Sequence, residues 1–200
     1  PEGDALRVSK APAIQLIGLT KCFDRVTACD RIDLEVNRGE ILALLGENGS
    51  GKTTLTNMLS GIYQPDSGRI LLDGEQVFIR SPRDAIRQGI GMIHQHFKLV
   101  DVLSARENIL LGQSRLIKLQ PEKAAEAFGM KVDLNKRVYS MSVSEKQTVE
   151  ILKVLCRGVD KLVLDEPTAV LTPQEIQSLF DTLGKMRDQG KAIIIITHKL

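Results

Sequence analysis

Residues 41–53 read Ile41-Leu42-Ala43-Leu44-Leu45-Gly46-Glu47-Asn48-Gly49-Ser50-Gly51-Lys52-Thr53. Five apolar residues run straight into a glycine-rich turn. The run is short and uniform, as in a buried strand of a parallel sheet. The turn fits G-x-x-x-x-G-K-[ST], followed by Thr54 and a helical pattern over 50–60 that Gly61 would stop. Glycines let the backbone wrap closely around a polyphosphate, so that N–H groups point inward at a helix start. Lys52 would bring positive charge to the β- and γ-phosphates, and Thr53 a hydroxyl to Mg²⁺. From average residue usage the pattern arises by chance in about one chain of this length in a hundred. The flanking strand and helix supply the context that a chance match lacks.

Two more apolar runs match this one. Residues 161–166 read Lys161-Leu162-Val163-Leu164-Asp165-Glu166, a strand ending in two carboxylates. Parallel strands bring their C-terminal ends to one sheet edge, where ligands bind. There Asp165 would hold Mg²⁺ and Glu166 would polarise an attacking water. An Asp-Glu pair also caps helices; the phosphate loop favours the chemical role. Residues 192–196 are pure apolar β-formers, and Thr197-His198 follows, placing His198 to contact a γ-phosphate. Gln95, after a strand over 89–94, follows the same logic or is a plain solvent-facing glutamine.

Strands alternating with helices predict a doubly wound α/β core. Residues 13–19 and 31–36 have strand character, and Ile32, Leu34 and Val36 alternate with polar residues as on a half-solvated antiparallel strand. Asp73-Gly74 marks a hairpin. Ser104-Ala105-Arg106-Glu107 is a capping box, and Ser81-Pro82 and Thr172-Pro173-Gln174-Glu175 open further helices. Gly190 would end the last of these. The stretch 104–157 is helix-rich, with loops near 112–120 and 132–142.

Composition is ordinarily globular, with 42% apolar and 26% charged residues among 200. A net charge of +2 does not suggest a nucleic-acid surface. Cys22, Cys29 and Cys156 lack metal-ligand spacing and read as reduced cytosolic thiols. No run approaches the ~18 apolar residues of a membrane span, so any transport pathway would lie in other chains. An N-K-x-D guanine-reading segment is absent from the sequence. Residues 1–12 read as a polar, poorly ordered lead-in.

With these residues in view, the chain resembles the ATPase subunits of ABC transporters over nearly its whole length. The ordered set is GENGSGKTT, HQHF, MSVSEKQ, LVLDEPT and ITHK. Within that superfamily, HQHFKLVDVLSARENILLG and LDEPTAVLTPQE look like the class importing simple sugars and nucleosides. The resemblance implies an ABC-type P-loop core, mostly parallel with helices on both faces. It adds an antiparallel β part (13–45 plus 61–80) and a helical subdomain (96–157), all within a nucleotide-binding domain over 13–200. ATP and Mg²⁺ are the implied cofactors.

The resemblance also implies roles. Phe23 would stack on adenine, with Val26 nearby, though an aromatic after a strand is more often core. Gly46, Glu47, Asn48, Gly49, Ser50, Gly51, Lys52, Thr53 and Thr54 would bind the triphosphate. Gln95 would join Thr53 and Asp165 around Mg²⁺, Glu166 would be the catalytic base, and His198 the γ-phosphate switch. Residues 98–108 would face the membrane subunits or form a packed loop. Ser142 and Ser144 would meet the ATP of a second nucleotide-binding domain. The remaining partners would be transmembrane permease subunits and, indirectly, a solute-binding protein, at the cytoplasmic side of the membrane.

Two departures stand out. The family's L-S-G-G-Q segment here reads Met141-Ser142-Val143-Ser144-Glu145, and Thr172 replaces the usual aspartate after Glu166. Ser144-Glu145-Lys146-Gln147 also fits S-x-x-Q, a capping pattern with Ser144 as the cap. The altered segment leaves open a non-hydrolysing regulatory domain; a soluble ABC-type ATPase is the other alternative. The chain stops two residues after His198, short of the usual domain end, and reads as a fragment.

Overall fold

The computed structural model describes residues 11–113 and 120–198. Most of the expected lead-in lies outside them. In chain order the strands are β1 (Ile14–Phe23), β2 (Val26–Val36), β3 (Ile41–Leu45), β4 (Ser67–Leu72), β5 (Glu75–Val77), β6 (Ile90–Ile93), β7 (Lys161–Asp165) and β8 (Ala192–Thr197). The helices are α1 (Lys52–Leu59), α2 (Pro82–Arg87), α3 (Ala105–Leu110), α4 (Pro121–Phe128), α5 (Val143–Leu155) and α6 (Pro173–Asp188).

Two sheets form among the described residues. One is antiparallel, ordered β2-β1-β4-β5; the other is parallel, ordered β3-β8-β7-β6. β8 is buried along its whole length because its apolar run is covered on both faces. Leu55, Met58 and Leu59 of α1 join Val163, Ile194 and Ile196 in a core beneath the antiparallel sheet. On the other face, Leu162, Ile193 and Ile195 pack with Leu179, Leu183 and Met186 of α6 and with Ile151 of α5. A third cluster, including Ile109, Val138, Val149 and Leu152, holds the helical block together.

Residues 41–45 form the parallel strand that their apolar run predicts, but two expectations about them are corrected. They belong to the parallel sheet, pairing with β8, and not to the antiparallel part. Nor is the strand fully buried: Leu45 is 52% exposed. Among the described residues β3 lies at one side of the parallel sheet, where Leu42 and Leu44 pack on the core while Ala43 and Leu45 are exposed. An apolar run tells that a strand is parallel, not how many of its faces are covered.

The predicted caps form at α2, α3 and α6. Ser81 accepts from the Asp84 N–H, while Ser104 with Glu107 and Thr172 with Glu175 make reciprocal boxes. At α5 the cap is Ser142, paired with Glu145, and Ser144 lies inside the first turn. The S-x-x-Q reading of Ser144 with Gln147 is thus corrected. Ser142-x-x-Glu145 competes for the same helix start, and its Glu145 is anchored further by Lys136 at 2.8 Å.

Candidate functional site

The phosphate-loop residues join β3 to α1 and bring a helix N-terminus to the end of the parallel sheet. Gly51 caps that helix at φ 88°, a left-handed conformation that favours glycine. A Cβ there would also sit 2.2 Å from the Ala28 carbonyl oxygen of β2, so no other residue fits without moving backbone. The Lys52 ammonium folds back over the loop, donating to the Glu47 carbonyl at 2.7 Å, to the Gly46 carbonyl, and to Ser50 Oγ at 3.4 Å.

A cleft of about 250 Å³ opens beside this loop. Asn48, Gly49, Gly51, Lys52, Thr53 and Thr54 line one side; Gln95, Asp165 and Glu166 line another; Val26, Thr27 and Ala28 of β2 close it. The ends of β3, β7 and β6 therefore converge on it, because all three are strands of one parallel sheet. The volume suits phosphate groups better than a whole nucleotide.

The electrostatics are uneven. Burial, and then the neighbouring Glu166 charge, push the Asp165 carboxyl above its usual range, with Lys52 partly opposing. Two adjacent carboxylates and a hydroxyl-bearing helix start make a hard, oxygen-rich environment. A hard cation would relieve its charge, which is how Mg²⁺ is held by one or two carboxylates plus substrate phosphates. The Thr53 hydroxyl and Gln95 amide oxygen on the same cleft fit that donor set.

Glu166 adopts φ 47°, rare for a residue with a Cβ. Its N–H is held by the Ile196 carbonyl at 2.8 Å. Its carboxylate accepts from Thr197 Oγ1 at 3.2 Å and lies 2.8 Å from His198 Nδ1. β8 thus fixes both backbone and side chain of Glu166. His198 does not line the cleft itself; it contacts the Glu166 carboxylate.

Phe23 and the serines of residues 141–145 lie elsewhere. Phe23, 38% exposed, is packed edge-on to Tyr63 at 5.1 Å, with the Lys21 ammonium 5.5 Å from its ring. It does not border the 250 Å³ cleft. Tyr63 was not anticipated, since nothing local links positions 23 and 63. Ser142 and Ser144 also stand off that cleft; their hydroxyls are 3.1 Å apart at the start of α5. Ser144 and Glu175 border a second cleft, between α5 and α6. The Glu175 carboxylate is held below its usual range, first by the Thr172 N–H and then by the Ser144 hydroxyl. The two departures from the resemblance, Ser144 and Thr172, therefore meet on one carboxylate. Gln147 was also missed: its side-chain amide, buried, donates to the Pro167 carbonyl at 2.9 Å, one residue past Glu166.

The family model described as ABC transporter matches residues 29–169. The nucleoside import ATP-binding protein NupA of Lactococcus lactis is 45% identical over 196 residues, spanning 94% of this chain and 39% of NupA. The ribose import ATP-binding protein RbsA of Caldanaerobacter subterraneus is 43% identical over 199 residues, spanning 94% of this chain and 40% of RbsA. The chain thus spans about two fifths of the length of the curated relatives it matches. An ATP-binding cassette of an ABC transporter, solved in its ADP conformation, superposes with a TM-score of 0.84 at 24% identity, covering 94% of this chain and 82% of that one. That likeness carries the fold. With the family model over most of the length and relatives above 40% identity over nearly all of it, the chain belongs to the ABC transporter family.

Proposed function

We propose that this chain is the ATP-binding and ATP-hydrolysing motor of an ABC importer for a simple sugar, a nucleoside or a similar small solute. The observation that carries the reading is the convergence of Lys52, Asp165 and Glu166 on one cleft at the ends of parallel strands. The import function named for the relatives NupA and RbsA supports the class of solute.

In this account the loop N–H groups and Lys52 bind the triphosphate, and Phe23 and Val26 lie toward the adenine. Thr53, Gln95 and Asp165 hold Mg²⁺, which supplies charge neutralisation for phosphoryl transfer when bound. Glu166 accepts the proton of the attacking water, and His198 orients that carboxylate and would contact the γ-phosphate. Ser142 and Ser144, which do not border this cleft, would meet the nucleotide of a second nucleotide-binding domain, as the family resemblance implies. No described helix is long and apolar enough to cross a membrane. The reading therefore assigns the pathway to permease subunits, served by a solute-binding protein, with this chain at the cytoplasmic membrane face.

Steady ATP turnover by the protein assembled with its membrane partners tests the reading. Glu166→Gln should lower turnover by ~10²-fold or more, the usual scale for loss of a general base. Unchanged turnover would move the base role elsewhere, first to His198.

A further inference from the structure

Two side chains of α5 that the nucleotide chemistry leaves unused hold the backbone of one residue some fifty positions away in sequence. Glu150 is 3% exposed. Its Oε1 accepts the Lys98 backbone N–H at 2.6 Å and the Lys153 ammonium at 3.1 Å. Lys153 Nζ donates in turn to the Lys98 carbonyl at 2.8 Å. Both polar groups of the Lys98 backbone are therefore tied to α5. A carboxylate buried this far needs partners, and here one of the two is the main chain of another segment.

That segment leads out of β6. Beyond Ile93, His94 borders the cleft that also contains Glu150 and Lys153, while Gln95 borders the cleft of the phosphate loop. The strand end is thus the wall between two clefts. Lys98 follows Gln95 by three residues, a span of about 10 Å at full extension. A displacement of α5 that carries Lys98 with it reaches Gln95 through very little slack. The same helix begins at Ser142 and is bonded through Gln147 to the Pro167 carbonyl beside Glu166.

We propose that Glu150, with Lys153, is a positioning pair that sets the place of Gln95 on the nucleotide cleft according to where α5 lies. The proposal rests on the reading of Gln95 as a nucleotide-side residue. A pair that only stabilised the fold would not make Glu150 and Gln95 interdependent in turnover.

The test is a double-mutant cycle on ATP hydrolysis by the assembled protein, with amide hydrogen exchange at Lys98 as a second readout. Glu150→Ala should lower kcat at least about tenfold and leave KM for ATP within about twofold. Lys98 exchange should quicken by a similar factor. Glu150→Gln, which keeps an acceptor for the Lys98 N–H, should restore most of both. Gln95→Ala should lower kcat alone, and the double variant should fall no further than about twofold below the worse single. If Glu150→Ala does not fold, Lys153→Met, which frees only the Lys98 carbonyl, takes its place in the cycle. Effects that multiply, or a kcat untouched while Lys98 exchange quickens, would overturn the positioning role alone. Full turnover in Gln95→Ala would overturn the reading of Gln95, and the proposal with it.

Discussion

His198 Nδ1 lies 2.8 Å from Glu166 Oε1, joining the ends of the adjacent strands β8 and β7. A residue expected to contact phosphate directly is therefore first a support for the proposed base. Residues that act as a unit are non-additive. His198→Ala should lower ATP turnover of the assembled protein by less than Glu166→Gln does. Adding His198→Ala to Glu166→Gln should cost no more than about twofold further, measured in the same assay. Independent, multiplying losses would separate the two roles.

Asp165 gives a pH-dependent prediction. Burial and the Glu166 charge raise its carboxyl above its ordinary value of about 3.8. The charged form is thus penalised in the folded state, and stability falls as pH rises from about 3.8 through the raised folded value. Asp165→Asn should raise the Tm of the nucleotide-free protein at pH 7, on the order of 2 °C after allowing for its partial exposure. The gain should disappear near pH 3. A lower Tm at pH 7 would show that the carboxylate is stabilised rather than strained.

Lys161 carries a prediction about stability. Its side chain, 3% exposed, bridges Asp73 in the β4–β5 turn and Asp160 before β7, each at 2.9 Å. Burial opposes ionisation of both carboxyls, but the hydrogen bonds from Lys161 and Arg38 outweigh it and hold them below the ordinary range. Their contribution is present above the unfolded value of 3.8 and is lost as pH falls through the lower folded values. Lys161→Ala should cost about 1.5 kcal/mol at pH 7 by urea unfolding, less than a fully buried pair because both carboxylates are partly exposed and Arg38 remains. The cost should shrink as the carboxyls protonate. An unaltered midpoint would mean that Arg38 alone suffices.

What could be read from the sequence was local. The phosphate loop, the carboxylates at 165–166 and the caps at Ser104 and Thr172 are contiguous patterns whose chemistry follows from spacing. The exposure of Leu45 among the described residues was not readable, since an apolar run does not say how many of its side chains are covered. The cap of α5 was readable and missed: Ser142-x-x-Glu145 was the better box than Ser144-x-x-Gln147. The Phe23–Tyr63, Gln147–Pro167 and Glu150–Lys98 contacts lie 20 to 52 residues apart in sequence and arise only when the sheets and the helical block pack together.

Ser144 is free of the capping duty, so its removal should not loosen α5. Ser144→Gly should leave ATP affinity of the isolated chain within about twofold, while turnover after assembly should rise, because a glycine lets a partner's phosphate approach the N–H groups more closely. The loss of its hydroxyl from Glu175 should be felt only locally. A changed affinity in the isolated chain, or no gain on assembly, would show that Ser144 serves its own helix and Glu175.

The loop around Lys52 is proposed to bind the phosphates of ATP. Titration calorimetry of ATP·Mg²⁺ into the folded chain tests it directly, with Lys52→Ala alongside. The parent should bind, and the variant should bind at least about tenfold more weakly, since a hydrogen bond to a charged group contributes about 1.5–3 kcal/mol. Equal affinity for the two folded proteins would contradict the account.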